Sequence, residues 1–168
     1  IIGSNGVLKT GGTTLTGITG TINTASGKIV FDGSEIETMP AWALSELEID
    51  NSAGVVTSTG TMNVSQSLIM TNGIITTTAT KILQLGTAAT VQGTPSETSM
   101  VVGPLRNSFA TPGSFTYPVG SSGLYHPATF EYTGGSVSGS VIEIEHSSAS
   151  FTPKTLPTSP ELIAVAQT

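Results

Sequence analysis

A short theme recurs along the first hundred residues: an apolar-x-apolar pair, a turn of Gly, Asn, Asp or Ser, and a further apolar step. Ile29-Val30-Phe31 leads into Asp32-Gly33-Ser34 and Ile36, and Leu47-Glu48-Ile49 leads into Asp50-Asn51-Ser52-Ala53-Gly54 and Val55-Val56. Leu68-Ile69-Met70 precedes Thr71-Asn72-Gly73 and Ile74-Ile75, and Leu83-Gln84-Leu85 precedes Gly86-Thr87 and Val91. The repeats begin at 29, 47, 68 and 83, spacings of 18, 21 and 15 residues. One coil of a β-solenoid, with about three short strands and their corners, needs on the order of 20 residues. The pattern predicts that Ile29, Leu47, Leu68 and Leu83 stack as one inward ladder, and Ile36, Val55, Ile74 and Val91 as a second. An antiparallel sandwich of hairpins competes with this reading, because Asp32-Gly33 and Asn72-Gly73 are also hairpin-turn signals.

Composition supports strands. Thr (28), Ser (21) and Gly (20) make up 69 of the 168 residues, while charged residues are 10 %. Thr and Val suit a pleated backbone and Gly suits turns, whereas the helix formers Glu, Lys, Arg and Gln are scarce, which excludes a helical bundle. An apolar fraction of 37 % with so little charge argues against disorder. Five basic residues against eleven acidic ones give a net charge of −6 with no basic stripe, which excludes nucleic-acid binding. The longest apolar runs are far short of the ~20 residues that span a bilayer, so no membrane span is expected. The absence of cysteine removes disulfides, thiolate metal sites and a Cys nucleophile. With no initiator Met or signal peptide, and with a strand-like run from Leu162 to Thr168 at its end, the sequence reads as a piece of a longer polypeptide.

Near residue 94 the texture changes. Thr94-Pro95-Ser96-Glu97-Thr98-Ser99 breaks the theme, and eight of the nine prolines lie from 95 onward; the other, Pro40, sits in a stretch read as a loop interrupting the first coils. From Phe115 the segments alternate: Phe115-Thr116-Tyr117, Ala128 to Thr133, and Val141 to His146. Alternation means one buried and one wet face, as in an antiparallel sandwich. The expected architecture is all-β: a short parallel β-solenoid over 1–95, followed by an antiparallel β-sandwich-like domain over 96–168 that is truncated at its C-terminus.

Val101-Val102-Gly103-Pro104-Leu105-Arg106, then Phe115-Thr116-Tyr117-Pro118-Val119-Gly120, then Tyr125-His126-Pro127-Ala128, together resemble a module of very large exported cell-surface proteins of Bacteroidota. The resemblance spans roughly residues 28 to 132, and His126 departs from it, standing where the family usually has Arg. It implies a multidomain adhesin-like protein of the cell surface, exported by type IX secretion and in some cases connected with gliding motility. It carries no activity with it. Independently of the family, Gly103 permits a sharp bend, Pro104 fixes φ, and Arg106 can bond several carbonyls, so the run reads as a rigid exit from the solenoid. Pro118, Gly120, Tyr125 and Pro127 read as structural parts of the same motif.

Candidate chemistry is thin. Glu143 and Glu145, like Glu46 and Glu48, lie two apart on one strand face, which for glycoside hydrolysis would have to become two acids facing each other; a solvated strand face explains them better. Asp32 and Asp50 are the only aspartates, too few for a calcium-dependent lyase. His126 and His146 lack metal-ligand spacing, so no metal, cofactor or enzymatic activity is expected. Thr57-Ser58-Thr59-Gly60-Thr61 and Thr76-Thr77-Thr78-Ala79-Thr80 would stack as a hydroxyl array of the kind that binds ice. Trp42 and Tyr125 are aromatic candidates for stacking on sugars. The leading expectation is a structural and adhesive module of a long extracellular fibre, with a cell-surface or polysaccharide ligand and with copies joining by edge-strand pairing. The alternative is a carbohydrate-binding accessory domain contacting its ligand through Trp42.

Overall fold

The computed structural model describes residues 6–11, 27–57, 60–121, 123–134 and 139–148. Among these residues there are strands and no helix. In chain order they are β1 (Val7–Thr10), β2 (Lys28–Phe31), β3 (Glu37–Met39), β4 (Ala43–Asp50), β5 (Val55–Thr57), β6 (Thr61–Asn72), β7 (Ile75–Thr76) and β8 (Ile82–Leu85). The chain continues with β9 (Thr90–Gly93), β10 (Val101–Val102), β11 (Leu105–Phe109), β12 (Gly113–Tyr117), β13 (Val119–Ser121), β14 (Leu124–Tyr125), β15 (Ala128–Tyr132) and β16 (Ser140–Ile144).

Parallel pairing organises them into a β-solenoid of about five turns. Three rows of rungs recur in each full turn. The first face stacks β1, β2, the second half of β4, the second half of β6, and β9, with Leu8, Ile29, Leu47, Leu68 and Val91 in register. The second face stacks β3, β5, β7, β10 and β13, with Glu37, Val55, Ile75, Val101 and Val119 in register. The third stacks the first halves of β4 and β6 on β8 and β11, aligning Leu44, Val64, Leu85 and Asn107. A register shift between Leu44 and Glu46 separates the third face from the first, and the Gly86 amide donates to the Val64 carbonyl (2.8 Å) at that corner. Pro40, Ala41 and Trp42 form an ordinary corner between β3 and β4 rather than an interruption of the coil.

The inward residues form one continuous core that includes Ile29, Phe31, Met39, Leu47, Ile49, Met62, Leu68, Met70, Leu83 and Leu105. Its apolar burial drives assembly, because no single coil can hide its own hydrophobic face. Ile29, Leu47 and Leu68 stack as the sequence predicts, but Leu83 stacks on Met62 and Leu105. The 15-residue step from 68 to 83 crosses a corner onto another face. In the second predicted ladder only Val55 keeps its place: Glu37 and Ile75, each one residue on, take the inward places of Ile36, which is 58 % exposed, and Ile74, while Val91 lies on the first face against Leu68 and Val101 continues the ladder. A one-residue slip moves a strand's whole apolar set to the other face, and here the turn after Gly33 sets the register.

That turn explains how a carboxylate comes to lie inside. Glu37 is 1 % exposed, and its Oε2 accepts from the Gly33 amide (3.1 Å) and from Asn51 Nδ2 (2.8 Å). Asn51 Nδ2 also donates to the Glu35 carbonyl (2.9 Å), while its Oδ1 accepts from the Ala53 amide (2.9 Å). Two successive corners are thereby tied by side chains.

Parallel pairing crosses residue 95, since β10 lies on β7, β11 on β8 and β13 on β10. Beyond it, the antiparallel pairs among the described residues are β14 on β13, β16 on β11, and β12 with β15, which have β13 and β14 between them in the chain.

The observed register predicts that Ile36→Ser changes stability by less than about 0.5 kcal/mol, as for an exposed site. Leu47→Ala costs about 2–5 kcal/mol through the cavity it leaves, and Asn51→Ala costs about 1–3 kcal/mol by stripping Glu37 of a donor. Urea unfolding of the three variants checks the order.

Candidate functional site

The motif residues gather where the last parallel rungs meet the reversed strands. Gly103 has φ of +103°, a left-handed conformation, and a Cβ there would sit 2.5 Å from the Thr77 carbonyl oxygen and 2.7 Å from its hydroxyl. The close approach is used: Thr77 Oγ1 donates to the Pro104 carbonyl (2.8 Å), and the Thr77 amide donates to the Val102 carbonyl (2.9 Å). Pro104 is buried, where its missing N–H leaves no orphan donor. Pro118 accepts from the Val101 amide (2.8 Å), which fastens the next coil to this one. Gly120 faces Tyr125 across the β13–β14 pair, and a Cβ on it would collide with the Leu124 carbonyl and the Met100 sulfur.

Among the described residues Arg106 bonds a carboxylate rather than the several carbonyls the sequence reading expects. Its Nε donates to Glu143 Oε2 (2.7 Å), joining β11 to β16 at the position where the two residues are paired in register. Tyr117 is fully buried and donates its hydroxyl to the Ile142 carbonyl (3.1 Å), and burial pushes its pKa well above the usual phenol value. Phe115 packs edge-on against Tyr117, and Phe130 packs against Phe109, so aromatic side chains cover this end of the core. Tyr125 is half-buried, with its hydroxyl pKa also raised by desolvation, and Pro127 is exposed. His126 and His146 stack with ring centroids 4.5 Å apart, and His146 Nδ1 shares a hydrogen bond with Ser121 Oγ (2.9 Å). The structure thus assembles Gly103, Pro104, Arg106, Pro118, Gly120 and Tyr125 into one junction and adds Thr77, Tyr117 and Glu143. The sequence reading put Thr77 in an outward hydroxyl array, but it is buried, and its junction role was hidden because its partners are 25 and 27 residues away in the chain.

Trp42 lies apart from this junction. It is 6 % exposed and belongs to the core, so its indole has no free face for a sugar. Thr57 is 2 % exposed and donates to the Thr76 and Lys81 carbonyls (3.3 and 2.7 Å), so it contributes no hydroxyl to an outer array; Ser58 and Thr59 lie outside the described residues. Glu46 and Glu48 point out from the first face. Glu48 bridges rungs, accepting from Lys28 Nζ (2.7 Å) and Thr71 Oγ1 (3.1 Å), and Lys9 pairs with Asp32 (3.1 Å) nearby. Among the described residues no group of three or more His, Asp or Glu gathers as a metal site. No helix of the described residues is long and apolar enough to cross a membrane. No family model, curated protein or solved structure matches the chain.

Two expectations follow from this geometry. Gly103→Ala strains a left-handed backbone and presses on Thr77, lowering the urea midpoint, while Pro127→Ala, at an exposed position, leaves it nearly unchanged. The Lys28 hydrogen bond lowers the Glu48 pKa, against a smaller opposing effect of burial. A carboxylate depressed in the folded state stabilises above its unfolded pKa, and that stability is lost as pH falls through the folded pKa. Glu48→Gln therefore flattens the acid limb of a stability–pH curve measured from pH 7 downward and lowers stability at neutral pH.

Proposed function

We propose that the chain is a structural and adhesive module of a long extracellular or cell-surface bacterial protein, in which the solenoid serves as a stiff spacer leading into further domains. The observation that carries this reading is the continuous core of parallel rungs, locked at one end by the Gly103–Arg106 junction and covered there by reversed strands and aromatics. At about 4.8 Å per rung, five turns make a rod whose length follows directly from its coil number, which suits a spacer. Backbone hydrogen bonds between rungs lie along the rod, so tension is shared by many bonds in parallel rows. The likeness of the Val101–Arg106, Pro118–Gly120 and Tyr125–Pro127 runs to exported adhesin-like proteins supports the same reading, with type IX secretion as the export route. The sandwich-like part of this proposal is limited to the antiparallel strands β12, β14, β15 and β16, because β10, β11 and β13 still continue the parallel stack; a surface or polysaccharide ligand also belongs to it.

Electron microscopy of the native protein on its cells and sheared from them, with the chain identified by mass spectrometry, tests the reading. Regular fibres containing this chain are expected. A dispersed secreted species with no fibre overturns it.

A further inference from the structure

The outward sides of the three faces differ in chemistry. On the first, the row of Lys9, Val30, Glu48, Ile69 and Gln92 carries charges already tied between rungs, Lys9 to Asp32 and Glu48 to Lys28. On the second, Thr38, Val56, Thr76 and Val102 stand in register, all short and β-branched. On the third, Asn63, Gln84, Arg106 and Glu143 stand in register on β6, β8, β11 and β16. Asn63, Gln84 and Arg106 each lie between two buried residues of their strand, so alternation turns them outward, and pairing with Arg106 sets Glu143 on the same side. Asn63 is exposed, Gln84 is half-buried, and the side chains of Arg106 and Glu143 are 34 % and 42 % exposed.

These four groups have bonding capacity left over. Among the described residues Asn63 Nδ2 reaches only the Thr61 carbonyl and Gln84 Nε2 only Ser108 Oγ, each at 3.5 Å, the outer limit of a hydrogen bond. Arg106 donates to Glu143 Oε2 through Nε, which leaves the N–H groups of its two terminal nitrogens and the other carboxylate oxygen for a ligand. The row is thus a straight line of planar donors and acceptors, and it has no net charge because Arg106 and Glu143 neutralise each other. Two neighbouring sugar hydroxyls supply both a donor and an acceptor, which an amide, or a guanidinium beside a carboxylate, meets with two bonds at once. Rungs about 4.8 Å apart put the ends of the row on the order of 14 Å from each other, room for several linked sugars. A straight row suits a straight chain: equatorial linkages hold a glycan as an extended ribbon, whereas axial ones wind it into a coil. The net charge of −6 disfavours an acidic glycan. We propose that the third face, along Asn63, Gln84, Arg106 and Glu143, binds an extended, uncharged, equatorially linked glycan. The inference rests on the reading that this module has a polysaccharide ligand, and gives that ligand a place and a chemistry.

Titration of the isotope-labelled full chain with cellohexaose, mannohexaose and xylohexaose, followed by amide shifts in NMR, tests this, with the coiled maltohexaose as control. Saturable shifts are expected with at least one of the three straight hexasaccharides, concentrated on β6, β8, β11 and β16, with maltohexaose binding at least about tenfold more weakly. Joint replacement Asn63→Ala and Gln84→Ala, at outward positions, is expected to weaken binding about tenfold with the urea midpoint nearly unchanged. Gln92→Ala, on the first face, leaves the affinity as it was. No saturable shift with any of the three, equal binding of maltohexaose, or unchanged affinity in the double variant each overturn the proposal. Shifts concentrated on another face overturn this site while leaving a glycan ligand in place, and the fibre reading is decided separately by microscopy. Should the double variant fail to fold, the shift map of the native chain decides alone.

Discussion

Parallel stacking of one coil on the next is the constraint on which everything else here depends. No strand of two to five residues is stable by itself, and each coil has an apolar interior that only its neighbours can cover. The core from Leu8 to Val119 is one object because every inward side chain rests on its counterpart in the coil before. Polar groups that fall inside obey the same rule. Glu37 is held by Asn51 from the next coil, and Thr77 by the carbonyls of Val102 and Pro104 from the coil after it. Outside, Lys28 to Glu48 and Lys9 to Asp32 also link one rung to the next.

A stack built this way has an end problem, because the final rung presents unpaired backbone groups that template further pairing. The chain answers by turning around. β14 and β16 run against the parallel direction, so a further parallel rung cannot simply continue the second and third faces. The Arg106–Glu143 ion pair fixes the register of one reversal, and Tyr117 ties the same strand down from inside through the Ile142 carbonyl. The glycines and prolines of the motif serve this change of direction. Gly103 admits the neighbouring coil's backbone, and Pro104 and Pro118 occupy places where no amide proton is needed.

The function proposed above rests on this architecture. The carboxylates that the sequence places two apart remain on outward strand faces, where Glu48 and Glu143 are each held by a cation. The single tryptophan is spent on the core. What the described residues offer is a repeating β-solenoid with one elaborated end.

Much of the fold is legible in the residues. The 18- and 21-residue steps from Ile29 to Leu47 and Leu68 identify a solenoid coil, but the change of texture after residue 94 does not end it, because β10, β11 and β13 continue the parallel stack. The inward choice between Ile36 and Glu37 was not legible, because strand alternation alone allows either register and hydropathy favours the isoleucine. The turn at Gly33, with Asn51 waiting to bond a carboxylate, overrides that preference. Leu83 was misplaced for a similar reason, since chain spacing counts residues but not the corner at Gly86 that moves it to another face. Arg106 and Glu143 are 37 residues apart, and no local pattern joins them. By itself, then, the sequence determined the β character, the coil length and the residues able to bend sharply, because those follow from local propensity and repetition. Only the tertiary structure decided which face each strand buries, which charges meet and how the stack ends, because those depend on backbone register between segments distant in the chain.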